Sequence, residues 1–315
     1  MRRLAILVSL GAVVLGVGCL PGCKRNVAPD APVTVSTEKP TAASLVAYLN
    51  ENAHQMESLK STRVRIDAKQ GTEAIGLEGT LFCQKPRNFR LRAKALGQPA
   101  VDIGSNNDEF WFWISQVKDA DDNVARVHFC SYKDMAAGKA RMPFPFQPDM
   151  IVAALGIGEY DPTKEYTLKE EEKTYNLIEQ TVSAQGQPVQ KVTVFNKVQV
   201  PGKPQILAYL LQDGKTGAEI CRATVLAVQA VPVGGDHKAV LPQTVELVWK
   251  PQQIKMTMQL YATEANSINV PQAAKLFSRG DLQYPAANLA RNSDLPTGFT
   301  EQSGIQPARL NAPVK

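Results

Sequence analysis

The sequence predicts a mainly β protein with a few helices, its strands running as an antiparallel meander. Two observations carry this. Apolar and polar residues alternate with period two over residues 62–68 and 76–83, and similar strand-like runs recur to residue 262. Turn-forming clusters separate them, among them Gly104-Ser105-Asn106-Asn107, Asp213-Gly214-Lys215 and Gly234-Gly235-Asp236. Ahead of the strands stands a segment of a different period. Behind Thr41, the residues Leu45, Val46, Leu49, Ala53 and Met56 recur at three-to-four spacing, which predicts a helix with one apolar stripe.

The elements follow in order. Strands are expected over 62–68, 76–83, 88–93 and 100–103, then across Asp108 to Ser115 and over 125–132. A Pro-rich bend, MPFPFQP, leads into a short helix over 148–155 that stops at Gly156. The second half repeats the theme near 175–182, 190–196, 205–212, 218–231, 244–249 and 255–262, with Gln185-Gly186-Gln187-Pro188 marking one more turn. The charge run KEYTLKEEEK at 164–173 reads as a solvated strand edge or turn.

One strand is unusual. DEFWFWIS, Asp108 to Ser115, has Phe110 and Phe112 on one face and Trp111 and Trp113 on the other, so neither face suits water. An indole carries a polar N–H and tolerates partial wetting better than a phenyl ring. The expectation is therefore the Phe pair inward, beside Ile103 and Val101, and the Trp pair outward or at a rim.

The amino terminus has the form of a secretory signal: Met1-Arg2-Arg3, an apolar run from Leu4 to Val17, then Leu20-Pro21-Gly22-Cys23. These last four residues resemble a bacterial lipobox, with Leu at −3, a small residue at −1 and the acylated Cys; Pro21 at −2 departs from the usual pattern. The resemblance implies a lipid anchor on Cys23. Cys19 is the other candidate, and plain secretion without lipid is the simpler alternative. No acidic residue follows in Lys24-Arg25-Asn26, which resembles outer-membrane sorting. The expected organisation is a signal peptide at 1–22, a flexible tether at 23–40 rich in Pro, Val and Thr, a β domain at 41–284 and a disordered tail at 285–315.

Composition excludes several classes. The formal charge of +5 falls to +3 when Arg2 and Arg3 leave with the signal, and no basic block makes a nucleic-acid face. Downstream cysteines are Cys83, Cys130 and Cys221, widely spaced, which suits three buried thiols better than a disulfide framework; one bridge with a spare thiol is the alternative. His54, His128 and His237 lie far apart without metal-ligand neighbours, so neither metal nor cofactor is expected. Ser115-Gln116-Val117-Lys118 and Lys215-Thr216-Gly217 mimic fragments of penicillin-binding enzymes, but Ser115 ends a strand and the K-T-G falls in a turn. No nucleophile has a base beside it. The sequence reads as that of a non-enzyme.

Three stretches together resemble the LolA/LolB/LppX group of lipoprotein and lipid carriers: the helix at 44–56, GTLFCQKPRNFRLRA at 79–93 and DIGSNNDEFWFWI at 102–114. Pro86, Phe89-Arg90 and Trp113-Ile114 fall where that group's strands have them. Residues 266–271, with Leu276-Phe277, resemble its closing segment. The resemblance implies a curved, half-open antiparallel β-barrel with helices plugging its concave side. It also implies an apolar groove for a lipid, an acyl chain or a lipidated protein. Leu45, Leu49, Met56, Phe110, Phe112, Trp111 and Trp113 are the candidate cavity residues, with lipid attachment at Cys23. The expected place is the cell envelope, on the outer membrane facing the periplasm. The alternatives are an ordinary β-sandwich and, for function, a structural envelope lipoprotein that binds other proteins without lipid cargo.

Overall fold

A capping box starts the first helix. In the computed structural model, which describes residues 39–117, 123–140, 148–183, 186–198 and 205–291, the Thr41 hydroxyl accepts from the Ser44 amide at 3.1 Å. The Ser44 hydroxyl accepts from the Thr41 amide at 2.9 Å, so two amides that no helical turn could satisfy are paired reciprocally. Helix α1 (Ala42–His54) then runs until Gln55.

The strands follow as β1 (Ser58–Gln70), β2 (Glu73–Gln84), β3 (Asn88–Ala95), β4 (Gln98–Ser105), β5 (Glu109–Ile114) and β6 (Val127–Ser131). Short helices α2 (Tyr132–Ala136) and α3 (Pro148–Ala154) come next. The second series is β7 (Tyr166–Glu170), β8 (Thr174–Val182), β9 (Pro188–Asn196), β10 (Ile206–Asp213), β11 (Glu219–Gly234), β12 (His237–Trp249) and β13 (Ile254–Ala265). Helix α4 (Val270–Leu276) and β14 (Ala286–Asn288) close the described chain. All these elements belong to one compact unit.

The strands make one sheet in the order β14-β6-β5-β4-β3-β2-β1-β13-β12-β11-β10-β9-β8-β7, and its two ends do not pair. Every pairing between described strands is antiparallel except that of β14 with β6. Register slips between Ser61 and Val64 and along β11–β12 mark bulges, which add twist and bend long strands. The curl is visible in what meets. Arg87 and Asn107, in turns flanking β3 to β5, line one cleft with Lys191 of β9, although β3 and β9 stand seven strands apart, roughly 34 Å in a flat sheet. The fold is thus the curved, half-open antiparallel barrel with helices on its concave side.

Both halves of that concave side carry packed apolar clusters. The main core gathers Val64, Leu81, Phe89, Phe110 and Phe112 with Leu211, Val245 and Leu260 from the second series. Helix α1 lays Val46 and Leu49 on Leu177 and Phe195. Its buried Asn50 breaks the apolar stripe for a reason: the carboxamide donates to the Tyr160 carbonyl at 2.7 Å and accepts from the Tyr160 amide at 2.9 Å.

Three expectations need correction. The strand expected over 125–132 ends at Ser131, whose side chain caps α2. The twelfth strand starts at His237 rather than 244, because the Gly234-Gly235 turn feeds straight into pairing. The tail does not begin at 285: Ala286–Asn288 pairs with β6, and Ala287 and Leu289 are buried. The signal, residues 23–38 of the tether and residues 292–315 lie outside the described residues.

Candidate functional site

The strongest candidate is a cavity of about 590 Å³ on the concave side. Its walls are Ile66 and Ala68 of β1, Leu77 of β2, Leu91 of β3 and Met256 and Met258 of β13, with Trp249 closing from β12. These positions alternate along each strand with outward polar residues such as Arg65 and Asp67, so one pleat face supplies the whole apolar lining. Polar groups gather at one end. Lys69, Gln70 and Glu73 at the β1–β2 hairpin and Ser115 and Gln116 after β5 border the mouth. Opposite the mouth, Phe89, Ile103 and the helical residue Ile151 bound the interior.

Two further clefts of mixed lining lie under the helices. One, about 210 Å³, is lined by Leu49 and Asn52 of α1 with Tyr209 and Val240. The other, about 400 Å³, carries Arg87, Glu159, Tyr160, Glu179 and Lys191. Burial drives the Tyr160 and Tyr209 phenols well above their ordinary range, and Tyr166 is pushed up to about 12 by burial and the nearby Glu179 and Asp161 carboxylates. Tyr160 meets the Thr193 hydroxyl at 2.9 Å. Tyr160 borders both clefts and Tyr209 the smaller one, and the Tyr166 hydroxyl donates to the Asp161 carbonyl at 3.1 Å.

Phe110 and Phe112 face the main core, with Ile103 directly opposite Phe112. Trp111 and Trp113 form a separate cluster with Val127 on the convex face. The Phe pair is inward and the Trp pair outward, as expected, but not for the expected reason: both indoles are buried and neither Nε1 has a hydrogen-bond partner among the described residues, so wetting of the N–H does not place them. None of the four lines the 590 Å³ cavity. Leu45 and Leu49 pack in the α1 cluster, Leu49 borders the 210 Å³ cleft, and Met56 sits past the helix end in the main core. Cys23 is outside the described residues.

The convex tryptophans are dry because the segment after β13 crosses over them. Tyr284 stacks on Trp113 with ring centroids 4.2 Å apart. Arg90, fully buried, holds that segment: its Nε and Nη2 donate to the Asp102 carboxylate at 3.1 and 2.9 Å, and Nη1 donates to the carbonyls of Leu276 and Ser278 at 2.8 Å. Arg279 donates to Glu109 at 2.9 Å and lies over the Phe129 ring. This side of the sheet is a structural seam, sealed by charge-assisted bonds.

Sequence reading missed the cavity walls. Ile66, Leu77, Leu91 and Met258 look like any core residue on an alternating strand. Their cavity role comes from the sheet curling away from a filler, which period-two patterning does not encode. Among the described residues no cluster of His, Cys, Asp and Glu could hold a metal ion, and Cys83, Cys130 and Cys221 are free and buried. No described helix is long and apolar enough to cross a membrane.

No family model matches the chain, and no curated protein matches it in sequence. Among solved structures it is similar to a domain described as an outer membrane lipoprotein-sorting protein from Vibrio parahaemolyticus, at 11% identity and a TM-score of 0.48 over 75% of this chain and 98% of that one. A DUF1329 family protein from Desulfovibrio piger aligns at 10% identity and a TM-score of 0.47, over 77% of this chain and 98% of that one. A LolA superfamily protein from Nitrosomonas europaea gives 8% identity and a TM-score of 0.44, over 75% and 99%.

Proposed function

We propose that this chain is a non-catalytic carrier of the bacterial envelope that shelters an acyl chain, of a free lipid or a lipidated protein, in the concave cavity. We propose further that Cys23 anchors it to the outer membrane on the periplasmic side. The observation that carries the reading is the 590 Å³ cavity, apolar along its walls and polar at one end. That arrangement suits a ligand with a long apolar tail and a polar head. Burying about ten methylenes at ~0.8 kcal/mol each supplies ~8 kcal/mol, the scale of a micromolar complex before the costs of association.

The test is native mass spectrometry with a fluorescent acyl probe as a second measurement. Adducts with the masses of lipids, and saturable probe binding that Ala68→Trp abolishes by filling the cavity, are the expected results. A clean apo mass with no probe binding refutes the carrier reading. For the anchor, Cys23→Ser should release the protein from membranes and abolish metabolic labelling by a fatty-acid analogue, while Cys19→Ser leaves both intact. Labelling lost with Cys19 and kept without Cys23 moves the anchor.

A further inference from the structure

The cavity has a direction. Its mouth lies at the β1–β2 and β3–β4 hairpins, where Gly71 and Gly97 turn the chain with φ of +58° and +81°. Its interior runs along the strands toward the β2–β3 turn, from Ala95 at the mouth to Phe89, six residues or roughly 20 Å of strand. Beyond that far end lies the polar cleft, which Pro86, Arg87 and Asn107 line from the turns at the other ends of β2 to β5.

One short helix separates the two spaces. Ile151, 4% exposed, is the only helical residue in the cavity lining among the described residues. The next two residues, Val152 and Ala153, line the polar cleft instead. Helix α3 is therefore a partition with an apolar side toward the cavity and the charged cleft behind it.

The partition is pinned. Gly156, at φ +82°, ends the helix by a conformation that other residues rarely adopt, and its carbonyl accepts from Asn52 of α1 at 3.2 Å. Gly158 brings the returning chain so close that a β-carbon there would stand 2.8 Å from the Ala153 Cα. The polar wall behind α3 adds a second barrier, since a methylene pushed past Ile151 would meet the charged side chains of Arg87, Glu179 and Lys191, with which it can form no hydrogen bond.

We infer that Ile151 is the length stop of the cavity: the acyl chain enters tail-first between the hairpins, and the ω-end rests on this side chain, which sets the longest chain accommodated. The inference rests on the acyl-carrier reading. It names Ile151 as a specificity-determining residue at the far end, where Phe89 and Ile103 bound the cavity beside it and the other strand residues run alongside the chain.

The test is displacement of a fluorescent acyl probe from the full chain by straight-chain fatty acids from octanoate to eicosanoate. It compares wild type with Ile151→Ala, Ile151→Val and Ile151→Trp, and thermal melts confirm that each is folded. Ile151→Ala should move the tightest-binding length upward, each extra methylene accommodated tightening binding by about fourfold. Ile151→Val should move it the same way by less, and Ile151→Trp should move it down. Variants that bind acyl chains with the wild-type length profile overturn the length stop and leave the carrier reading standing. Failure of wild type to bind any chain overturns both, so the two failures are told apart. If Ile151→Trp does not fold, the Ala and Val variants still decide the matter.

Discussion

Gly104 faces Trp111 directly across the β4–β5 pair, and the indole fills the space that a side chain at Gly104 would take. A β-carbon at Gly104 would stand 2.1 Å from Cζ2, 2.3 Å from Cε2 and 2.8 Å from Nε1 of Trp111, distances that no packed structure tolerates. Trp111 cannot swing clear, because it is fully buried under the segment that Arg90 holds at Leu276 and Ser278. Gly104→Ala must therefore shift the strand or lift the cover. Overpacking of a tight core costs about 1–3 kcal/mol, and this site, with an immobile ring above and a central strand below, belongs at the upper end. Removing a glycine returns only ~0.4–1 kcal/mol through the unfolded chain. The expected net loss of about 2 kcal/mol should lower the midpoint of thermal unfolding by roughly 4–8 °C for a domain of this size. Trp111→Leu takes away the clashing atoms, so Gly104→Ala should do less harm in that background, a coupling that a double-mutant cycle reads directly. A Gly104→Ala protein as stable as wild type, or strictly additive effects, would refute the argument.

Other outcomes follow from the same geometry. Phe112→Ala, which empties a fully buried ring site in the main core, should cost ~3–5 kcal/mol in urea unfolding, and Trp113→Ala, in the smaller convex cluster where the indole keeps 5% exposure beneath Tyr284, less. Asp102→Ala leaves Arg90 buried without its counter-charge, with an expected destabilisation of about 3–5 kcal/mol by the same assay. At Leu96, fully exposed with φ +48°, Leu96→Asn should raise stability by roughly 0.5–1 kcal/mol, because asparagine accepts the left-handed conformation more readily. Burial pushes the Cys130 thiol up to about 11 and Cys221 up to about 12, and raises Cys83 further still. Unfolded thiols ionise near 8.5, so their contribution to stability is complete below that pH and is lost as pH rises toward the folded values. Iodoacetamide at pH 8 should accordingly leave these three cysteines unlabelled until the protein is denatured.

Local and alternating features were legible in the chain before any contact between distant segments. Period two named the strands, Thr41 started the helix, glycine and asparagine clusters placed the hairpins, and the charge run at 164–173 became the solvated edge strand β7. The double aromatic face of Glu109–Ile114 declared a strand covered on both sides; the Phe pair does go in, but the buried, unpartnered indole N–H groups show that ring polarity is not what decides it. Each of these is written within a few residues of chain. What tertiary structure decided is whatever depends on how far the sheet curls and what then fails to fill it. Leu77 and Leu81 sit on the same face of one strand with the same chemistry, yet Leu77 lines the cavity and Leu81 packs solidly, because space beside a side chain is a property of its distant neighbours. Asn50 reads as a solvent residue until the backbone of Tyr160 arrives to take both ends of its amide. Arg90 reads as an outward charge until Asp102 and two carbonyls from Leu276 and Ser278 close around it. Pattern fixes which face a side chain takes; only the closed arrangement of strands fixes whether that face meets protein, ligand or water, because burial is a sum over contacts between segments that no local window contains.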